Sequence, residues 1–376
     1  MKQIIEGSKA IALAAARSGI DVVGAYPITP STHIVEELSR LQAEHGFEFV
    51  PVESELSAIS VLIGASATGA RTFTATSSQG LLLMTEALFN ASGMRLPIVM
   101  AVANRAVSAP LNIWNDWQDS MSLRDSGWMQ FYCRNNQEAV DTVIQAFQIA
   151  EKALVPAMVC IEGYYLTHEV SPVDVPSKEE IKEFLPPFKP QYSLDVDAPY
   201  TFGTYATPQY YQGIREMQQN AVLSAQKEIE SAAKDFGKKF GRTQYPLLEE
   251  TNLGKTDSAI VTMSTLAENT ELVLEKNGNK TKGVGLLRLK CFRPFPKKEI
   301  VEALSGKKNI VVVEKCFSAG GGGILGTEVK AALQEEGVKA RVLNVICGLG
   351  GKDVSLKEIE KILGIAGKGK TGTVWL

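Results

Sequence analysis

The sequence predicts an α/β protein: a doubly wound parallel sheet domain over residues 1–169, a connector over 170–255, and a second, smaller α/β domain over 256–376. Three observations predict it. Short runs rich in Val, Ile and Ala alternate with helical patterns through the first 165 residues, punctuated by glycine, as a parallel sheet covered by helices on both faces requires. Near residue 170 the alternation gives way to Pro-containing, mixed-charge sequence. Near residue 256 it resumes.

Residues 9–18 read as an Ala-rich helix stopped by Gly19, and 20–26 as a buried strand. Thr29 is placed to cap the next helix, with Pro30 at its first position. Ile34, Val35, Leu38 and Leu41 then share one helical face. Strand 47–52, helix 54–67, strand 71–76, helix 79–91 and strand 97–103 continue the pattern. Residues 105–126 have no period and are rich in Asn, Asp and Trp. An irregular segment of that length with Trp114, Trp117 and Met121 as anchors reads as ordered and functional. Helix 137–152 and strand 157–162 close the first unit. The connector holds one amphipathic helix, marked by Ile214, Met217, Ala221, Ala225, Ile229, Ala232 and Phe236. Strands 259–263, 284–290, 310–313 and 342–346 build the second domain.

Composition narrows the function. With 45% hydrophobic and 22% charged residues the chain is of ordinary soluble globular type, and a net charge of -3 offers no wholesale electrostatic case for nucleic acid or an anionic membrane. No run approaches the ~18 apolar residues of a membrane span. Ala10 to Ala16 is flanked by Glu6, Lys9 and Arg17 and reads as a helix, not a signal peptide. Five scattered cysteines without a CxxC pair exclude a zinc ribbon or an iron–sulfur cluster held by this chain alone, and point to reduced thiols in a cytoplasm. There is no HExxH, GxSxG or Walker motif, and none of the three histidines has ligand spacing, so no metal is expected on this chain.

In open parallel sheets ligands bind at the carboxyl ends of the strands. Here those ends carry Tyr26-Pro27-Ile28-Thr29, Glu53 to Glu55, Thr76-Ser77-Ser78-Gln79-Gly80 and Asn104-Arg105. Each has a bland reading: Thr29 as a cap, Glu55 as an acid favoured by a helix start, Arg105 as the partner of Asp116, Asp119 or Asp125. Together they make a polar edge of hydroxyls, a carboxylate, an amide and a guanidinium. A competing motif, Gly321-x-Gly323-x-x-Gly326, matches a dinucleotide fingerprint, but residues 316–319 separate it from its strand and no acid ends the next strand; close helix packing or an anion nest is the simpler reading. A polar edge without His, metal ligands or a nucleophile motif suits a chain that lends its residues to a cofactor.

The strings Tyr26 to Thr32, Glu53-Ser-Glu55, Thr76 to Leu81 and Asn104 to Pro110, followed by Phe292-Arg-Pro-Phe-Pro296, resemble in order and spacing the alpha subunit of 2-oxoacid:ferredoxin oxidoreductases, the pyruvate enzyme most closely. The resemblance implies a pyrimidine-type thiamine-diphosphate-binding domain and a transketolase C-terminal-like domain. It puts the catalytic carboxylate on Glu55, at N1′ of the aminopyrimidine, with Glu53 as runner-up. It also implies that Arg105 pairs with the substrate carboxylate, that Thr29 stands beside the reacting centre, and that Pro27, Ile28, Ser78 and Gln79 complete the cofactor contacts. The family's Gly-Asp-Gly magnesium motif does not occur in this sequence. The resemblance therefore implies a beta subunit that supplies the Mg²⁺ and diphosphate half, gamma- and delta-type subunits with the iron–sulfur clusters, and ferredoxin and coenzyme A as reactants. Branched-chain, aryl and 2-oxoglutarate substrates stay open, with the Trp114 to Trp117 loop expected to shape the side-chain pocket. So do a thiamine enzyme without ferredoxin and a non-catalytic dinucleotide-binding subunit.

Overall fold

The computed structural model describes residues 2–278 and 283–376. Its strands are β1 (Lys2–Glu6), β2 (Val22–Ala25), β3 (Glu48–Pro51), β4 (Thr72–Thr76), β5 (Val99–Asn104), β6 (Met129–Tyr132), β7 (Ala157–Glu162), β8 (Val170–Asp174), β9 (Leu248–Thr251), β10 (Ser258–Met263), β11 (Val284–Leu289), β12 (Cys291–Arg293), β13 (Asn309–Glu314), β14 (Arg341–Ile346) and β15 (Gly372–Trp375). They form a seven-stranded sheet in the order β12-β6-β7-β5-β4-β2-β3, a six-stranded sheet β15-β14-β13-β10-β11-β9, and the antiparallel pair β1-β8. In the first sheet every pairing is parallel except that of β12 with β6. In the second only β9 runs antiparallel.

The run 157–162 is a central strand with every residue buried, which is why it reads as an unbroken apolar segment. One face of the first sheet packs helices Gly7–Arg17, Thr32–His45 and Asn136–Ala153. The other packs Glu55–Ala67, Ser78–Leu83 and Thr85–Gly93, and its core is continuous with that of the second sheet. Chain order reverses at β2, which has β3 on one side and β4 on the other. That switch point is where the carboxyl ends of the strands open a crevice.

Several local readings change. The second helix begins at Thr32, not at Pro30: Ser31 bonds back to the Ile28 carbonyl through its N–H at 2.8 Å and its hydroxyl at 2.7 Å, closing a turn before the helix starts, so Thr29 is not the cap. The helix read over 79–91 is two helices that meet at Met84. β6 and β12 carry no sequence period and pair with each other across the chain, with Cys291 opposite Phe131. The amphipathic helix spans Pro208–Phe240, about 50 Å long at 1.5 Å per residue, and β8 and β9 flank it in sequence. Among the described residues no helix is long and apolar enough to cross a membrane.

Candidate active site

Ser54 caps the helix Glu55–Ala67 by accepting the Ser57 N–H at 3.2 Å, and this fixes where Glu55 points. Glu55 is only 6% exposed. Its carboxylate lies over Gly80: a Cβ at that glycine would stand 2.4 Å from Glu55 Oε1 and 2.8 Å from Thr76 Oγ1. No hydrogen bond or ion pair among the described residues engages the Glu55 carboxylate. Beside it, Thr76 Oγ1 and Gln79 Nε2 are buried without partners. Buried polar groups are almost always bonded, so two unmet ones on the same sheet edge as an unengaged carboxylate make this a place for a ligand. Glu53, two residues earlier, is exposed; its carboxylate accepts from the Ser57 hydroxyl, which holds it below the usual carboxylate value.

Asp119 ties this edge together. Fully buried, it accepts from the N–H groups of Ser78 (2.9 Å), Arg105 (3.0 Å) and Ser120 (2.8 Å) and from Asn104 Nδ2 (2.7 Å). Burial pushes its carboxyl above the ordinary value against those four bonds. The carboxylate thus joins the ends of β4 and β5 to the aperiodic loop. Ser78 is buried at φ +48, a conformation that side chains resist, and its hydroxyl lies between the Ala106 carbonyl and Gln79 Oε1. Ser78 therefore holds Gln79 in place and leaves the Gln79 amide nitrogen as the open group.

Arg105 is buried at the end of β5, and its guanidinium donates to two carbonyls, Thr29 O at 2.8 Å and Asn112 O at 3.0 Å. Asp116, Asp119 and Asp125 do not form ion pairs with it; Asp119 takes its backbone N–H instead. Burial lowers the pKa of the guanidinium, with the charges of Asp119 and Tyr164 opposing. A buried cation seated only on neutral oxygens is suited to receive an anion. Thr29 meets Arg105 through its carbonyl while the residue itself is exposed; Pro27 is exposed and Ile28 half-buried on the same turn. The two tryptophans of the loop divide: Trp117 is fully buried and donates to Glu162, whereas Trp114 is 51% exposed, its ring 6.2 Å from that of Tyr164.

The two sheets meet at Glu162, at the end of β7. It accepts from Lys315 Nζ at 2.7 Å, Thr265 Oγ1 at 2.6 Å, Asn115 Nδ2 and Trp117 Nε1. Burial alone would raise its pKa, but the Lys315 ammonium and these donors hold it below 4.5. Next along the chain, Tyr164 sits at φ +64 and ψ -54, with the Tyr165 N–H on the Gly163 carbonyl at 2.8 Å, a strained γ-turn.

The glycine motif of the second domain is filled from within. Glu314, from the end of β13, accepts the N–H groups of Leu325 (2.8 Å) and Gly326 (2.9 Å) at the start of helix Ile324–Glu335, and Asn344 Nδ2 at 2.6 Å. A Cβ at Gly323 would stand 2.1 Å from Glu314 Oε1 and 1.9 Å from Asn344 Oδ1. These glycines serve close packing around a carboxylate that already occupies the helix N-terminus, where a pyrophosphate would have to lie.

A family model described as pyruvate flavodoxin/ferredoxin oxidoreductase, thiamine-diphosphate-binding, matches residues 13–234, and one for pyruvate:ferredoxin oxidoreductase core domain II matches 256–359. The chain belongs to the pyruvate flavodoxin/ferredoxin oxidoreductase family. Pyruvate synthase subunit PorA of Methanocaldococcus jannaschii is 45% identical over the whole of this chain and 97% of that protein. PorA of Pyrococcus abyssi is also 45% identical, over 97% of this chain and 94% of its own. Ketoisovalerate oxidoreductase subunit VorA of the same organism is 43% identical over 96% and 92%. Among solved structures, the 2-oxoglutarate:ferredoxin oxidoreductase of Magnetococcus marinus aligns with a TM-score of 0.75 at 18% identity over 98% of this chain and 65% of its own. A split-gene transketolase aligns at 0.56 and 12% identity over 97% and 98%. At those identities the structures speak to the α/β fold alone. Family membership sets aside the non-catalytic dinucleotide-binding reading, in line with Glu314.

Of the groups gathered at this edge, sequence reading singled out Glu55, Arg105 and Gln79, but not the open hydroxyl of Thr76, Gly80 as the floor under the carboxylate, or Asp119 as the hub. The Ser-Ser-Gln-Gly string contained the Gly80 signal. Asp119, an acid in an aromatic stretch, carried none.

Proposed function

We propose that this chain is the pyrimidine-binding alpha subunit of a thiamine-diphosphate-dependent pyruvate:ferredoxin oxidoreductase, which converts a 2-oxoacid and coenzyme A to acyl-CoA, CO2 and reduced ferredoxin. The observation that carries the reading is the buried, unengaged Glu55 carboxylate over Gly80, on the same sheet edge as an Arg105 seated on neutral carbonyls. The residues fit the cofactor's aminopyrimidine: Glu55 offers an acid to a ring nitrogen, and Thr76 and Gln79 offer unmet polar groups to the ring's polar substituents.

Bound thiamine diphosphate supplies the nucleophilic carbon and the electron sink that decarboxylation needs. Glu55 holds and moves a proton at the pyrimidine N1′. Arg105 binds and orients the substrate carboxylate, whose charge offsets that of the buried guanidinium. Thr29 borders the reacting centre, Pro27 and Ile28 wall the approach, and Ser78 fixes Gln79. The family resemblance assigns the Mg²⁺ and diphosphate half to a beta subunit and the clusters that lead to ferredoxin to gamma- and delta-type subunits, in keeping with a sequence without Gly-Asp-Gly and with five separate, buried cysteines. Five buried free cysteines are in keeping with a reducing compartment, and a cytoplasmic location is part of this reading. Pyruvate rests on the PorA relatives; the VorA relative supports a branched 2-oxoacid as the second reading.

The test is turnover of the assembled complex against a panel of 2-oxoacids with a low-potential acceptor. Highest kcat/KM on pyruvate supports the assignment, and a branched-chain preference replaces the substrate. Acceptor reduction that does not depend on thiamine diphosphate overturns the function.

A further inference from the structure

Arg105 is gripped from two sides, by the turn after β2 and by the aperiodic loop. Thr29 O is held by the turn after β2, part of the sheet edge itself. Asn112 O lies on the aperiodic loop, where the chain is half-buried and has no strand to fix it. Within the loop the Trp114 carbonyl accepts the Ala106 N–H at 3.0 Å, and further ties come from the second sheet's domain. Asn112 Nδ2 donates to the Gly350 carbonyl at 3.0 Å, and Asn112 Oδ1 accepts the Trp114 N–H at 2.8 Å. The Gly350 N–H returns to Asp116 Oδ2 at 3.0 Å, and the Gly351 N–H to the Asn115 carbonyl at 2.6 Å.

The turn that makes these contacts is shaped for them. Gly348, Gly350 and Gly351 have φ of +67°, +57° and +76°, where residues with a Cβ are strained. A Cβ at Gly350 would stand 2.5 Å from Asn112 Nδ2, and one at Gly351 2.3 Å from Trp114 Cβ. The turn and the loop fit only because neither glycine has a side chain.

We propose that Asn112 is the positioning residue for Arg105, its carbonyl seating the guanidinium while its side chain ties the loop to the Gly348–Gly351 turn, so that the second domain sets the affinity for the 2-oxoacid carboxylate. The inference rests on the reading of Arg105 as the carboxylate ligand and adds the residues that hold it there.

The experiment uses the assembled complex with pyruvate, comparing Asn112→Ala, Gly350→Ala and Arg105→Lys with the wild type. Asn112→Ala removes both side-chain bonds and keeps the carbonyl; KM for pyruvate should rise about tenfold while kcat changes by less than about threefold. Gly350→Ala should raise KM alike, and the double variant should be no worse than the more affected single one, because both break the same tie. Asn112→Asp keeps the acceptor for Trp114 but loses the donor to Gly350, and should match Asn112→Ala. Pyruvate affinity of the complex freed of thiamine diphosphate should follow KM. If Arg105→Lys raises KM and neither Asn112 variant does, the positioning role is overturned and the Arg105 reading stands. If Arg105→Lys leaves KM unchanged, the Arg105 reading itself fails. A lower Tm of the Asn112 variants with unchanged KM would mean that the tie holds the loop and nothing more, which also overturns the proposal.

Discussion

Gly80→Ala adds one methyl group under the Glu55 carboxylate and so tests its placement apart from the stability of the helix. The new Cβ would fall 2.4 Å from Glu55 Oε1, about 1 Å inside ordinary van der Waals contact near 3.4 Å, so the carboxylate has to retreat by that amount. A displacement of about 1 Å at a reacting group is enough to lower a rate by roughly 10²-fold. The fold should barely notice, because alanine in a helix is favoured over glycine by up to about 1 kcal/mol, which offsets the crowding at Thr76. The assay is 2-oxoacid-dependent reduction of a low-potential acceptor by the reconstituted complex, with thermal unfolding measured alongside. Turnover should fall by about two orders of magnitude with Tm within a few degrees of wild type. Full turnover in a folded Gly80→Ala complex would refute the need for the Glu55 carboxylate to sit where it does over this glycine.

Glu53→Gln should keep activity within about threefold, since Glu53 is exposed and engaged by Ser57; loss of turnover in a steady-state assay would reassign the carboxylate. Glu162→Gln leaves Lys315 as an uncompensated buried charge and should cost about 3–5 kcal/mol in denaturant unfolding. Because the Glu162 carboxyl is held below 4.5, its contribution is present above that pH and is lost as pH falls through the folded-state value, so the variant should lack this part of the acid limb. Burial raises the Asp116 carboxyl to about 7, so the folded state binds the extra proton and stability falls as pH rises from 3.8 toward 7. Asp116→Asn should remove this slope, read from unfolding curves at several pH values, because the amide does not titrate.

What the sequence could reveal depended on the range of the forces involved. Helix 54–67 and strand 157–162 were legible because a run of small helix-forming residues and an unbroken apolar segment are local signals. β6 and β12 were not, being four and three residues long and paired across about 160 positions of chain, where no window holds both partners. Thr29 shows a local rule overridden: Thr before Pro is a good helix start, but the Ser31 turn and the capture of the Thr29 carbonyl by Arg105 moved the helix start to Thr32. At Arg105, three nearby aspartates suggested an ion pair, yet the buried Asp119 is used up by backbone N–H groups at the strand ends. The candidate carboxylate was narrowed to Glu53 or Glu55 from sequence. Burial, which a motif does not report, separates them.

The most direct test of the central claim is the rate at which the C2 proton of bound thiamine diphosphate exchanges with deuterium in the reconstituted complex, followed by NMR without substrate. If Glu55 moves the proton at N1′, Glu55→Gln should slow that exchange by roughly 10²- to 10⁴-fold while the complex stays assembled. Exchange at the wild-type rate in a Glu55→Gln complex that still binds the cofactor would contradict it.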